Sequence, residues 1–224
     1  MKNYLTSIKK TSLCILCRLE CKNNLPICAQ CEVSFSLIPQ QKCNICLAKI
    51  TNDTTKCTNC IISKPFFDSM ISVYQYDPFT KFLLNQMKFN QHSGIAIFFA
   101  HKLSHSLKDF KFDIIIPTPI HHLRWISRGY NPVLLIASMV SKNLNIPLVQ
   151  HSLIKNKYTK PLSISNKRDP RIITKSFFLK KSMPYNILLI DDIITTGTTA
   201  NSIAKILKQN KAKSVTIAAA IKVY

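Results

Sequence analysis

Two adjacent carboxylates, Asp191 and Asp192, follow the aliphatic run Ile187–Ile190 and precede a turn of hydroxyls and one glycine, Thr195-Thr196-Gly197-Thr198-Thr199. An aliphatic run without polar alternation is the pattern of a strand buried on both faces. The residues after the turn, Ala200–Gln209, have helical spacing. In open α/β sheets, ligands bind beyond the carboxyl ends of the strands. A turn that opens a helix there offers backbone N–H groups and the positive end of the helix dipole to a phosphate. Gly197 permits a backbone conformation and a close approach that a Cβ would forbid, and the threonines add hydroxyl donors. The carboxylates would repel that phosphate, so they are expected to face a neutral polyol, such as a ribose diol, or a metal. The chemistry suggested is that of a sugar-phosphate site. An ordinary strand, Asx-type turn and capped helix would favour the same residue types. Composition argues against that: the chain has 3 glycines and 10 acidic residues, yet one glycine and both acids crowd into positions 191–197.

The other chemistry-bearing residues are cysteines. Cys14/Cys17, Cys28/Cys31, Cys43/Cys46 and Cys57/Cys60 form four Cys-x-x-Cys knuckles, and the second four positions repeat the first four at an offset of 29 residues. Two such knuckles close a tetrahedron of thiolates around Zn²⁺. The expectation is two structural zinc ions, since four cysteines leave no open coordination position. The duplication favours one ion per repeat, with a cross-braced arrangement as the alternative. Cys21 falls outside the pattern and is given no ligand role. Thioredoxin-like dithiols are a weaker reading of four evenly repeated pairs.

Elements must hold these residues. Cysteine vanishes after position 60, and the expected boundary lies at Ile61–Pro65, separating a zinc module (1–62) from a larger domain (63–224). Asp68–Tyr76 alternates like a strand. Pro78–Phe89, Ile95–Leu107 and Asn131–Leu144 have helical spacing, while Asp113–Ile116 and Ser214–Val223 read as further strands. Strands alternating with helices predict an α/β fold with a mostly parallel sheet flanked by helices. Pro117-Thr118-Pro119 makes a stiff turn at the end of one strand. Of the five arginines, Arg124 and Arg128 lie in one short stretch and Arg168 and Arg171 in another, in a chain that otherwise uses Lys. A planar, bidentate guanidinium suits phosphate oxygens, although pairing with Asp113 or Asp169 is the structural alternative. None of the six histidines forms a metal pattern; His121 and His122 adjoin the proline turn.

Ile187–Thr199 resembles the phosphoribosyl-pyrophosphate (PRPP) loop of the type I phosphoribosyltransferases. With the cysteine repeat, Met87-Lys88-Phe89 and Arg128-Gly129-Tyr130-Asn131, the chain is similar, from Leu13 to Val223, to the ComF family of competence-associated proteins. The resemblance implies a type I phosphoribosyltransferase-like fold behind a double zinc ribbon, and PRPP bound with Mg²⁺. It implies that Asp191 and Asp192, the catalytic candidates, hold the ribose hydroxyls and that Thr195, Thr196, Gly197, Thr198 and Thr199 hold the 5′-phosphate. Thr118 and Arg128 would bind pyrophosphate. Phosphoribosyl transfer to an unidentified acceptor is the implied reaction. The alternative is a non-catalytic PRPP or nucleotide sensor that binds single-stranded DNA, or a competence or helicase protein, during DNA uptake. The chain departs from the family pattern at Pro132, where Gln is usual, and in Lys155–Lys175, the counterpart of the mobile loop over PRPP. That stretch is about two residues short by comparison. It keeps Thr159 and Arg168, with Phe177 just beyond, but has Leu162 for a Gln and Arg171 near an Asn position.

The formal charge of +21 suggests a polyanionic partner. Lys supplies most of it, alongside abundant Asn and Ile, as a coding bias would produce. Eight zinc-bound thiolates would reduce it to about +17. No apolar run reaches the roughly 18 residues of a membrane span. Met1–Thr11 is not followed by an apolar stretch long enough for a signal peptide, so a cytoplasmic protein is expected. Only Tyr4 and Phe35 are aromatic in residues 1–60, too few for a dedicated base-stacking platform. If lysines carry nucleic-acid binding, affinity for single-stranded DNA falls steeply between low and physiological salt in a fluorescence-anisotropy titration. Binding insensitive to salt, or none at low salt, removes a direct DNA role.

Overall fold

The structure is a computed structural model that describes residues 12–21, 25–51, 54–119, 130–155, 177–179 and 182–224. Its centre is a four-stranded parallel sheet in the order β3-β8-β7-β4. The strands are β3 (Ser69–Gln75), β4 (Ile114–Pro117), β7 (Asn186–Ile194) and β8 (Ser214–Lys222). Strands β1 (Ser12–Leu13) and β2 (Glu20–Cys21) form a small antiparallel pair in the cysteine segment, and β5 (Leu153–Lys155) and β6 (Phe177–Leu179) form another.

Side chains alternate across the sheet and divide the core in two. Ile115, Leu188, Ile190, Ala218 and Ala220 face one side, where they meet α3 (Pro78–Phe89), α4 (Ser93–Leu107) and α5 (Pro132–Leu144). Ile114, Ile116, Ile187, Leu189, Ile217 and Ala219 face the other side and meet α6 (Thr198–Gln209). Burial on both faces explains why the central strands read as aliphatic runs. Two short helices, α1 (Ala29–Glu32) and α2 (Thr58–Ser63), belong to the cysteine segment.

The expected elements form, with shifted ends. The largest shift is in β7, which was expected to end at Ile190 and continues through both aspartates to Ile194. Asp disfavours strands, but β8 supplies a pairing partner alongside: Asp191 is opposite Ala219, Ile193 opposite Ile221 and Ile194 opposite Lys222. Tertiary pairing overrides local preference here.

Helix α3 starts at a capping box in which the Asp77 carboxylate accepts from Thr80 N and the Thr80 hydroxyl accepts from Asp77 N, each at 2.8 Å. Pro78 sits in the first turn, where its missing N–H costs nothing. Thr80, Leu83, Leu84 and Met87 turn inward, which leaves Lys88 in the last turn. Helix α5 begins likewise, with Asn131 accepting from Leu134 N at 3.2 Å and Pro132 just inside. The proline that departs from the family pattern is thus a favourable helix start.

The cysteine segment packs on the sheet. Ile38 N donates to Val73 O at 3.2 Å and Gln75 N to Ser36 O at 2.7 Å, so the chain after the first repeat runs along the edge of β3. Phe35 is buried against Tyr74 and Phe98, with ring centroids at 5.3 and 6.3 Å. Glu32 accepts from the Tyr74 hydroxyl at 2.8 Å and pairs with Lys102 at 2.5 Å. From the second repeat, Leu47 is buried in the core on the α6 side, and Ile45 and Cys46 pack against it. No helix among the described residues is long and apolar enough to cross a membrane.

Candidate functional site

The carboxyl ends of β4 and β7 lie side by side, with Pro117 paired to Ile190 and Thr118 N donating to Ile190 O at 2.8 Å. This register brings Thr118 next to the two aspartates. Because the strand continues through them, their side chains diverge. Asp192 lies toward the α3 side, where Lys88 Nζ meets its Oδ2 at 2.7 Å with the side chains only 18% and 7% exposed. Asp191 lies with Thr118, and its Oδ1 accepts from Asp192 N at 2.8 Å. The Thr118 Oγ1 is buried without a completed hydrogen bond, a donor beside an acceptor.

Burial raises the Asp191 carboxyl from its ordinary 3.8 to about 7, and the Asp192 charge pushes the same way. The Asp192 N–H, Lys88 and Thr118 oppose the rise. Desolvation and a like charge therefore outweigh the local donors. Such a carboxyl accepts hydroxyl hydrogen bonds readily and gains from any cation that enters.

The hydroxyl turn follows. Gly197 adopts φ +75, the left-handed region that favours glycine, and occupies the N-cap of α6 without a side-chain cap. A Cβ there would meet the Met70 methyl at 2.8 Å, a flexible end that can move, so the backbone angle is the firmer constraint. Thr196 and Thr198 share a hydroxyl hydrogen bond at 2.8 Å, while Asn201 N donates back to Gly197 O at 2.8 Å. Lys222, 8% exposed, anchors the turn from beneath, its Nζ donating to Thr195 O at 2.9 Å and to Val223 O. Lys222 Nζ at 5.1 Å and Lys49 Nζ at 5.0 Å both lie over the Tyr224 ring. Burial lowers the Lys222 pKa, and the negative charge of Cys46 holds it up. The second cysteine repeat thus borders the turn.

The cysteines form two clusters, Cys14/Cys17/Cys28/Cys31 and Cys43/Cys46/Cys57/Cys60, with all Sγ atoms in each within 4.8 Å of one another. This is the sequential pairing, one cluster per repeat. The Cys17–Cys28 and Cys46–Cys57 sulfurs are 3.6 and 3.5 Å apart, near the roughly 3.8 Å edge of a tetrahedron built on 2.3 Å Zn–S bonds. The four-thiol sets suit zinc, so two zinc ions can be held. The repeat extends to electrostatics. Burial acts to raise Cys14 and Cys43, but backbone N–H groups bring both down to about 6, whereas burial and neighbouring thiols push Cys31 and Cys60 up. Cys21 is buried and belongs to neither cluster.

The structure thus brings Asp191, Asp192 and Thr118 together and leads from them into Thr195–Thr199. Arg128, with Arg124, His121, His122, Thr159, Leu162, Arg168 and Arg171, lies outside the described residues. Two site residues escaped the sequence reading. Lys88 had a signal in the Met87-Lys88-Phe89 motif, but its partner is 104 positions away. Lys222 had none, standing in a strand among many lysines.

No family model matches the chain. Among relatives, Competence protein F from Haemophilus influenzae is 29% identical over 208 residues, covering 85% of this chain and 90% of the relative. Competence protein ComFC from Streptococcus pneumoniae is 29% identical over 194 residues, covering 84% of each. DNA utilization protein YhgH from Escherichia coli O157:H7 is 26% identical over 216 residues, covering 92% of this chain and 94% of the relative. Among solved structures, adenine phosphoribosyltransferase from Trypanosoma brucei is similar at TM-score 0.42 and 11% identity, covering 68% of this chain and 83% of that one.

Two measurements test the geometry. Metal analysis of tag-free protein is expected to give two zinc ions per chain, unchanged in Cys21→Ser and reduced to one in Cys46→Ser; a single ion in the wild type removes the two-cluster assignment. The second concerns Asp191. Its folded-state pKa lies above the ordinary value, so the folded protein holds that proton more tightly and loses stability as pH rises from 3.8 to about 7. Asp191→Asn removes that loss. Thermal unfolding should show the variant more stable than wild type at pH 8, with the gap closing toward pH 4. A variant less stable at pH 8 would mean that the carboxylate is well compensated.

Proposed function

We propose, taking the chain as the relative of the ComF competence proteins that its sequence makes it, that it is a cytoplasmic protein that binds PRPP as its Mg²⁺ complex. Asp191 and Asp192 accept hydrogen bonds from the ribose hydroxyls. The turn Thr195-Thr196-Gly197-Thr198-Thr199 surrounds the 5′-phosphate with N–H and hydroxyl donors at the amino end of α6. Thr118 and Arg128 bind pyrophosphate oxygens. Bound Mg²⁺ would neutralise pyrophosphate charge. The observation that carries this reading is the junction of β7 and α6, where two acids, one of them raised to about 7, stand six and five residues before a positive-φ glycine.

In the reaction, a nitrogen nucleophile or water attacks C1 of the ribose, the C1–O bond to pyrophosphate breaks, and the leaving oxygen takes the electron pair. The protein's residues position the ribose and stabilise the growing negative charge. The relatives' names support a place in DNA uptake and use. A second reading is favoured by the charge of +21: a PRPP or nucleotide sensor that holds single-stranded DNA or a competence partner without catalysis. Pyrophosphate release measured with candidate acceptors separates the two.

The binding proposal is tested by calorimetric titration of Mg²⁺-PRPP. Replacing both acids with Asn removes charge-assisted hydrogen bonds worth roughly 1.5–3 kcal/mol each, so affinity should fall by at least about tenfold. Gly197→Val should weaken binding comparably, because a β-branched residue resists positive φ and crowds the phosphate. Both variants should keep wild-type zinc content. Wild type without PRPP affinity, or variants that bind as wild type does, would overturn the assignment.

A further inference from the structure

Lys88 reaches Asp192 from the last turn of α3, and the pair is close and largely shielded. Its place is fixed from several directions. The capping box sets the start of the helix, Leu83, Leu84 and Met87 bury its inner face, and the Tyr130 hydroxyl donates to the Met87 carbonyl. Tyr130 stands at the far end of the connection that begins with Thr118 at the tip of β4. Lys88 also acts on Asp191, which stands beside Thr118. Thr118 is where the reading above puts pyrophosphate.

Two adjacent acids in a poorly solvated strand end need a cation when no ligand is present, and Lys88 supplies it. A PRPP molecule changes the balance. Its ribose hydroxyls compete for Asp192, and its pyrophosphate offers more negative charge a short distance away. A lysine ammonium is a compact charge on a flexible stem, suited to exchanging one anion for another without moving the helix. We propose that Lys88 changes partner, holding Asp192 in the empty site and turning to the pyrophosphate of PRPP when ligand enters. This rests on the PRPP reading and adds a ligand-contacting cation to it. The exchange frees Asp192 for the ribose diol. It also puts a positive charge against the oxygen that receives the electron pair as the C1–O bond breaks.

The two ligands that separate this from a purely structural ion pair are PRPP and ribose 5-phosphate, which lacks the pyrophosphate. By calorimetry, Lys88→Gln is expected to weaken Mg²⁺-PRPP by at least about tenfold, the loss of one charge-assisted contact, and ribose 5-phosphate by less than about twofold. Lys88→Arg should keep the wild-type ratio of the two affinities to within about threefold, since it retains the charge. Equal weakening of both ligands, or of neither, overturns the partner change. The same substitution in an Asp192→Asn background removes the unpaired carboxylate, so the test survives should Lys88→Gln alone not fold. There it should still cost PRPP at least about fivefold relative to Asp192→Asn; no further loss means that Lys88 acts only through Asp192 and overturns the proposal. Wild type that binds neither ligand sinks the PRPP reading and this one with it. Wild type that binds both, with a Lys88→Gln variant that does not distinguish them, sinks this one alone.

Discussion

The parallel pairing of Asn186–Ile194 with Ser214–Lys222 is the constraint on which the rest of the structure depends. These strands are central in the sheet and apolar on both faces, so they sit between the two halves of the core. Their ladder extends past the aliphatic stretch and holds Asp191 and Asp192 in extended conformation. The alternation of strand side chains then sends the two acids to different neighbours, Asp192 to Lys88 and Asp191 to Thr118. The site's electrostatics follow from a rule of backbone geometry.

Helix α3 supplies the opposing charge because its register is fixed from the start. Asp77 stabilises the helix amino end and also accepts from Ser36 N at 2.8 Å, so one carboxylate joins the cysteine segment to α3. From that cap, inward-facing residues at 80, 83, 84 and 87 leave position 88 to meet the tip of β7.

Much of this was legible in the chain. The 29-residue cysteine offset implied paired thiol clusters, because knuckle spacing reflects local geometry alone. The aliphatic runs implied a buried parallel sheet for a similar reason. Gly197 stood out because glycine is scarce here and the turn requires positive φ. Less legible was anything set by contacts between distant elements. The extension of β7 depends on β8, which follows it in sequence by twenty residues or so, and the Lys88–Asp192 pair joins two different elements. A lysine-rich sequence also conceals its shielded lysines: half-buried Lys88 and buried Lys222 are chemically indistinguishable from the exposed ones until their surroundings are known.

The chain's last residues bear on how interchangeable its parts are. Tyr224 meets both Lys49, just after the third knuckle, and Lys222, which holds the Thr195 carbonyl. The second repeat is thus linked to the hydroxyl turn through Tyr224 and Lys222. A zinc ribbon is often a detachable accessory that can be swapped between scaffolds. Here an exchange of the second repeat for an unrelated segment would take Lys49 away from the Tyr224 ring that also meets Lys222. Both repeats are therefore tied to the sheet, the first through Phe35 and Glu32 at β3 and the second through Lys49 beside the end of β8.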